Sequence, residues 1–214
     1  MTEQLAFDLT ARHACGRSDF WVAPCNQEAI AWIDKYPDWP MHALLIYGEE
    51  GSGKSHLASI FSDKHIEASE LDDNLFSESE KIVVENVDHL TNEEALFHLF
   101  NSVQERGGGL LMTARQLPFF SLPDLRSRIS MIPKAEIKMP DEKTIEAVCA
   151  KVFEDKQILV EPVVFSYIAT HLERSFATVQ RVLNLADAMA LEKGRRITVP
   201  LMREAIEQLE RMSS

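Results

Sequence analysis

Short apolar runs alternate with amphipathic segments along the first part of the chain. Each run is brief, rich in apolar residues and followed by polar residues, which is typical of buried parallel strands. The runs are Ala43–Tyr47, Lys81–Glu85, Leu110–Thr113 and Ala135–Met139. Apolar residues at helical spacing predict helices near 29–33, over Ser55–Phe61 and over Thr91–Glu105, with Thr91 as N-cap and Glu94 as its capping-box partner. Strands that alternate with helices indicate a parallel α/β sheet.

After Pro140 the pattern changes to helices alone. Helical spacing of apolar residues predicts helices at about 141–156, 161–172, 175–193 and 199–212. Such a run of helices indicates a small bundle in a domain of its own. Residues 1–17 lack helical periodicity, so we expect a flexible tail over 1–17, an α/β domain over 18–140 and a helical domain over 141–214.

Composition narrows the class of protein. The chain has 214 residues and a net charge of −12, which disfavours broad non-specific binding to DNA. No run approaches the roughly 18 apolar residues that span a bilayer, so no membrane association is expected. The N-terminus lacks a secretory signal, which favours a cytoplasmic location. Cys15, Cys25 and Cys149 have no metal-ligand spacing and are expected to be reduced thiols.

The segment between the first predicted strand and its helix satisfies the pattern G-x-x-x-x-G-K-[ST]. In such a loop, backbone N–H groups turn inward around phosphates, the lysine reaches the β and γ groups, and the hydroxyl ligates Mg²⁺. The sequence therefore predicts a nucleoside phosphate site. Its candidate residues are Gly48, Glu49, Glu50, Gly51, Ser52, Gly53, Lys54, Ser55 and His56.

The chain resembles the AAA+ ATPases of the DnaA family and, within it, the short replication regulators of the Hda family in their alphaproteobacterial form. The resemblance rests on the phosphate loop, the order of the motifs, Asp19–Asn26 and Gln4–Leu9. It implies a five-stranded parallel sheet between helices, followed by an all-α lid, and bound ADP or ATP with Mg²⁺. It also implies that Phe20, Val22 and Asn26 line the nucleotide base. From composition alone, these three residues are a strand edge and a helix cap.

The tail resembles the motif by which bacterial replication proteins bind the sliding clamp. An extended segment can place Leu5, Phe7 and Leu9 in an apolar pocket while Gln4 forms hydrogen bonds at the entrance. As a bare pattern, the alternative is a fraying chain terminus.

Glu85 and Asn86 stand where this family has the two adjacent acids of the Walker B motif. By the resemblance, Glu85 holds Mg²⁺ together with Ser55, whereas Asn86 takes the place of the acid that polarises water. A carboxamide cannot accept a proton at neutral pH, so intrinsic ATP turnover is expected to be weak or absent. Asp88, two residues further on, is expected to be a polar surface residue of the following loop.

Three further positions carry family roles by resemblance. Thr113 matches the first sensor, with a strand-end cap as the alternative. Arg128 matches the arginine finger that reaches a neighbour's γ-phosphate, with a surface salt bridge as the alternative. At the second sensor the chain departs from the family, because Ala177 replaces the arginine. Arg174 is the nearest substitute, and Arg181 lies about one turn too far along its helix.

Together these features favour a regulator that, bound to the sliding clamp, supplies Arg128 to the initiator DnaA and promotes its ATP hydrolysis. The alternatives are a self-contained ATPase, such as a DnaC-like helicase loader, and a small-molecule P-loop kinase, which the helical lid fits poorly. The sequence ends where DnaA continues into its DNA-reading domain, so no sequence-specific DNA binding by the chain itself is expected. Pairing of two copies through the finger face is left open.

Overall fold

The computed structural model describes residues 21–72 and 81–213. The described chain divides between Lys138 and Met139 into two compact units. The first unit holds the predicted strands and the phosphate loop, and the second contains helices.

Five parallel strands form one sheet among the described residues of the first unit. They are β1 (Ala43–Tyr47), β2 (His65–Glu67), β3 (Lys81–Glu85), β4 (Gly109–Ala114) and β5 (Lys134–Glu136), in the spatial order β2-β3-β4-β1-β5. In the register of β1 with β4, Ile46 pairs with Thr113 and Tyr47 with Ala114. Because the strands are parallel, their carboxyl ends meet at one edge of the sheet, where ligands bind in open α/β folds.

Helices cover both faces of this sheet. They are α1 (Gln27–Ile33), α2 (Lys54–Phe61), α3 (Glu93–Glu105) and α4 (Pro123–Met131). Leu44 and Ile46 pack with α1 and α2, whereas Leu45 packs with α3 and α4. This alternation follows from the period of two along a strand and explains why β1 is apolar throughout. The expectation of a five-stranded parallel sheet between helices is confirmed.

The start of α3 corrects a prediction. Its N-cap is Asn92, whose side-chain oxygen accepts a hydrogen bond from Ala95 N at 3.0 Å, so Thr91 is not the cap. Nor does Glu94 act as a capping-box partner, because it lies at the second helical position. Its neighbour Glu93 instead accepts hydrogen bonds from the backbone N–H groups of Ser121 (2.9 Å) and Leu122 (2.6 Å). This carboxylate ties α3 to the chain that leads into α4.

Other element boundaries differ more modestly from the predictions. The last strand, predicted over 135–139, covers Lys134–Glu136, and β4 is one residue longer at each end than the predicted 110–113. The strand β2 and the helix α4 were not predicted at all. Both are polar along much of their length, so neither stands out as an apolar run.

The second unit contains four helices among its described residues. They are α5 (Glu142–Asp155), α6 (Pro162–His171), α7 (Phe176–Lys193) and α8 (Val199–Ser213), each within about two residues of its predicted range. Phe153, Ile168 and Val182 form the centre of their shared core. Cys149 lies in the same core as a free thiol, and burial raises its pKa to about 12. The second described cysteine, Cys25, forms no disulfide bond with a described residue.

No helix within the described residues is both long and apolar enough to cross a membrane.

The N-cap of α5 leads to a stability prediction. The Asp141 carboxylate accepts a hydrogen bond from Thr144 N at 2.7 Å, and the bonds from the Thr144 side chain and backbone hold its pKa below the ordinary value. Because the folded-state pKa is the lower one, this stabilisation is present above about pH 4 and is lost as the pH falls through the folded-state pKa. We expect Asp141→Ala to lower the free energy of unfolding by about 1 kcal/mol near neutral pH.

The measurement is urea unfolding followed by far-UV circular dichroism, near neutral pH and again at about pH 3. The loss of unfolding free energy caused by Asp141→Ala should be smaller at pH 3 than near neutral pH. Asn92→Ala at the cap of α3 should cause the same loss at both pH values, because an amide does not titrate. An Asp141→Ala deficit of equal size at both pH values would contradict the argument.

Candidate nucleotide-binding site

The phosphate loop connects β1 to α2 at the carboxyl edge of the sheet. A Cβ added to Gly48 would lie 2.1 Å from the backbone oxygen of Ile137, so only glycine fits there. Ile137 N in turn donates to Tyr47 O at 2.8 Å, which holds this close approach in place. At the other end of the loop, Gly53 has a φ of 102° and is the N-cap from which α2 starts at Lys54.

Lys54 curls back over the loop. Its Nζ donates to the carbonyl oxygens of Gly48 and Glu49, both at 2.7 Å, and its side chain is buried. Burial lowers the pKa of Lys54, and the Asp88 carboxylate is the foremost of the charges that oppose this shift. A desolvated lysine at a helix N-terminus is a strong binding group for phosphate, because solvent screens its charge poorly.

Ser52 provides a test of whether the loop fits a phosphate group. Among the described residues, its Oγ is the one buried side-chain polar atom without a hydrogen-bond partner. A buried hydroxyl left unpaired costs free energy, which a ligand oxygen can recover. This orphaned hydroxyl, the buried ammonium group and the amides at the start of α2 together match a nucleotide phosphate.

Ser55 and Glu85 meet beside the loop. Ser55 Oγ donates to Glu85 Oε2 at 2.6 Å, and Glu85 Oε1 lies 2.6 Å from His65 Nδ1. His65 Nε2 is 2.8 Å from Ser62 O, so β2 and its approach fix the orientation of Glu85. A hydroxyl and a carboxylate are the oxygen ligands that Mg²⁺ takes next to substrate phosphates. The described residues contain no group of three or more His, Cys, Asp or Glu side chains that could hold a metal by themselves.

Asn86 is engaged on both sides. Its Nδ2 donates to Glu67 Oε1 at 2.8 Å, and its backbone N donates to Thr113 Oγ1 at 3.2 Å. The Thr113 side chain is buried, and its hydroxyl accepts this bond near the carboxyl end of β4. The carboxamide is thus bound to β2, across the sheet edge, as a hydrogen-bond donor.

Asp88 is not the surface residue that was expected. Its side chain is 11% exposed, and its Oδ1 accepts a hydrogen bond from Arg115 N at 3.1 Å. The short 3₁₀ turn Val87–His89 directs the carboxylate towards the end of β4 instead of outward. The guanidinium of Arg115 pairs with Glu50 of the phosphate loop, Nη2 to Oε2, at 3.2 Å.

Sequence reasoning missed Arg115, His65 and Glu67. A usable signal existed for Arg115, because it directly follows a strand whose carboxyl end lies at the same edge as the phosphate loop. His65 and Glu67 belong to the unpredicted strand β2, and no local pattern marks them.

Two of the three expected base-binding residues, Asn26 and Val22, are among the described residues. Asn26 is buried, its Oδ1 accepts from Ala23 N and its Nδ2 donates to Trp21 O, both at 2.8 Å. Its side chain therefore braces the segment before α1 rather than capping that helix. Val22 is half-buried and packs against the core beneath α1 and α2. His56 lies in the first turn of α2, half-buried.

Arg128 lies on α4 against the side of α3. Its Nη1 donates to Gln104 Oε1 at 3.1 Å, and its guanidinium carbon lies 5.1 Å from the ring centroid of Phe97 and 5.8 Å from that of Phe100. It forms no ion pair with any described carboxylate. Arg126, on the exposed side of α4, is 5.8 Å from the Phe119 ring.

The candidate second-sensor residues lie in the helical unit. Arg174 precedes α7 and pairs with Glu142, Nη2 to Oε1, at 2.7 Å. Ala177 lies in the first turn of α7, and Arg181 Nη2 contacts Thr178 Oγ1 at 3.4 Å. The expected clamp-binding residues and one base-binding residue lie outside the described part of the chain; they are Gln4, Leu5, Phe7, Leu9 and Phe20.

Residues 141–206 match the family model described as the lid domain of Hda. Over 224 aligned residues, the chain is 26% identical to the chromosomal replication initiator protein DnaA of Aliarcobacter butzleri, covering 88% of this chain and 51% of the relative. The DnaA of Magnetococcus marinus is 23% identical, and the alignment covers 90% of this chain and 51% of that relative. The chain thus spans about half the length of the curated relatives it matches.

Solved structures agree on the fold. Domain III of Thermotoga maritima DnaA superposes with a TM-score of 0.68 at 17% identity, covering 89% of this chain and 94% of that one. AMPPCP-bound DnaA from Aquifex aeolicus gives 0.64 at 17% identity, with 91% and 68% covered. A T. maritima RuvB variant superposes with a TM-score of 0.63 at 16% identity, covering 86% of this chain and 67% of that one. These similarities confirm the expected fold, an AAA+ nucleotide-binding domain followed by a helical lid.

Proposed function

Because the chain belongs to the Hda family of DnaA-related AAA+ proteins, we propose that it is a nucleotide-binding regulator of replication initiation that promotes ATP hydrolysis by DnaA. The observation that carries this proposal is the side chain at position 86. Asn86 stands where a base is needed, and its amide donates to Glu67 at 2.8 Å. A group that donates there cannot accept a proton from water. The protein therefore hydrolyses its own bound nucleotide slowly, while it promotes hydrolysis of the ATP bound to DnaA.

In this proposal the nucleotide is ADP or ATP. Lys54, the Ser52 hydroxyl and the amides at the start of α2 bind its phosphates, and Ser55 with Glu85 holds Mg²⁺. When bound, the metal ion would neutralise part of the negative charge of the phosphates. Val22 and Phe20 contact the base, and the buried Asn26 holds their segment in place through its bonds to Ala23 and Trp21. The solved structure of Aquifex aeolicus DnaA with bound AMPPCP supports a nucleotide in this fold.

The regulatory contact is made by α4. Arg128 acts in trans on the γ-phosphate of ATP bound to DnaA, where a guanidinium neutralises the charge that develops during transfer. Support comes from its fixed position against Phe97 and Phe100 and from the absence of a carboxylate partner among the described residues. The tail residues Gln4 and Leu5 connect the protein to the sliding clamp, so that it acts in the cytoplasm where clamps are on DNA.

The experiment is phosphate release from ATP-bound DnaA in the presence of clamp loaded on DNA. We expect addition of this protein to accelerate release by well over tenfold, while the protein alone releases phosphate slowly. A variant with Gln4→Ala and Leu5→Ala should lose most of the acceleration while keeping nucleotide binding. Rapid release by the protein alone, without DnaA, would overturn the proposal in favour of a self-contained ATPase such as a helicase loader.

A further inference from the structure

An ion pair links the phosphate loop to the end of β4. Arg115 Nη2 lies 3.2 Å from Glu50 Oε2, and the two side chains are 53% and 80% exposed. At such exposure, an ion pair contributes little to stability and can exchange partners readily. Arg115 therefore offers a cation beside the loop that can be recruited by another anion.

The backbone of Arg115 is held separately from its side chain. Its N–H donates to Oδ1 of the largely buried Asp88 at 3.1 Å. This bond fixes the starting point of the side chain, so the guanidinium can change partner without disturbing the end of β4. Both Arg115 and Glu50 are close enough to Lys54 to influence its pKa, in opposite directions.

Glu50 lies close to the lysine of the phosphate loop. Lys54 reaches the β and γ phosphates of a bound nucleotide, and here its Nζ contacts the carbonyl oxygens of Gly48 and Glu49. Glu50 directly follows Glu49, and its carboxylate is close enough to Lys54 to influence the pKa of that lysine, so it lies near the group that reaches the γ-phosphate. An unpaired carboxylate at this position repels a triphosphate far more than a diphosphate, because Coulomb repulsion falls with distance.

We propose that Arg115 is a nucleotide-binding residue that exchanges Glu50 for the γ-phosphate and so sets the preference of this site between triphosphate and diphosphate. The inference rests on the proposed nucleotide site and adds a residue to it. In the absence of a γ-phosphate, Arg115 neutralises Glu50, which leaves the site well suited to ADP. When a triphosphate binds, the guanidinium forms a charge-assisted hydrogen bond to it.

The test is isothermal titration calorimetry of the full chain with Mg²⁺ and, separately, ADP and AMPPCP. Arg115→Ala should weaken AMPPCP binding about tenfold and ADP binding by less than about twofold. Glu50→Gln should tighten AMPPCP binding severalfold and leave ADP nearly unchanged. Arg126→Ala, which removes an arginine of the same unit from the exposed side of α4, is the matched control and should alter neither.

The outcomes separate this inference from the function on which it rests. If the wild-type chain binds neither ADP nor AMPPCP, the proposed nucleotide site itself fails. If it binds both, but Arg115→Ala weakens them equally or not at all, only the role of Arg115 is overturned. If Arg115→Ala does not fold, the test rests on Glu50→Gln, whose substitution at an 80% exposed position should not disturb the fold. An unchanged ratio of AMPPCP affinity to ADP affinity in Glu50→Gln then refutes the exchange.

Discussion

Arg128→Ala is expected to abolish the stimulation of DnaA-bound ATP hydrolysis, with a loss of about 10³ or more in the stimulated rate. The reason is that no other described residue on this face of α4 combines a guanidinium with a fixed support. Gln104 and the rings of Phe97 and Phe100 orient the Arg128 side chain. The measurement is single-turnover hydrolysis of ATP prebound to DnaA, with clamp-loaded DNA and each variant in turn.

Two variants sharpen this result. Arg128→Lys should fail to restore the rate, because an ammonium group neither stacks on the aromatic rings nor presents a planar pair of donors. Arg126→Ala should leave the rate within about threefold of wild type, since Arg126 is exposed on α4 and lies beside the Phe119 ring instead of the rings that support Arg128. Loss of stacking costs the fold only about 0.5–1 kcal/mol, so the variants remain folded. Equal stimulation by Arg128→Ala and wild type would rule out the finger role.

Lys54→Met is expected to weaken nucleotide binding at least about 100-fold, because it removes charge-assisted contacts to the phosphates. Methionine keeps most of the aliphatic stem that is buried at this position. The folded chain should not suffer, because the lowered pKa of Lys54 shows that burying its charge is unfavourable. The measurement is the rise in unfolding temperature on adding Mg²⁺ and ADP, which depends on the dissociation constant through mass action.

The wild-type chain should show a clear rise in unfolding temperature with ADP, and Lys54→Met should show none at the same concentration. Without nucleotide, the two unfolding temperatures should agree within a few degrees. Lys138→Ala, an exposed cation in the same compact unit, is the matched control and should retain the full rise. A Lys54→Met variant that responds to ADP like wild type would show that the loop does not bind the phosphates.

The sequence predicted those parts of the fold in which local pattern and burial coincide. The first four residues of β1 are buried and form an apolar run in the sequence, whereas only the middle residue of β5 is buried. α4 buries only Leu125 and Ile129, so its helical spacing is hidden among polar residues. The three-residue β2 is too short for any periodicity to show.

The candidate site divides in the same way. The phosphate loop could be predicted because its chemistry requires a fixed spacing along the chain. The contacts of Glu85 with His65, of Asn86 with Glu67 and of Arg115 with Glu50 join separate strands and loops. Such contacts depend on which strands become neighbours, and the order β2-β3-β4-β1-β5 cannot be predicted from the sequence of any single segment.

The hydrogen bond between Asn86 and Glu67 has an evolutionary consequence. Replacing Asn86 by aspartate would put two carboxyl groups 2.8 Å apart, where one of them takes up a proton rather than acting as a free base. An ancestor with acid at position 86 and the present Glu67 would face the same conflict. Under the proposed function, a gain of ATP hydrolysis therefore requires coordinated change at positions 86 and 67, because an acid at position 86 alone conflicts with Glu67.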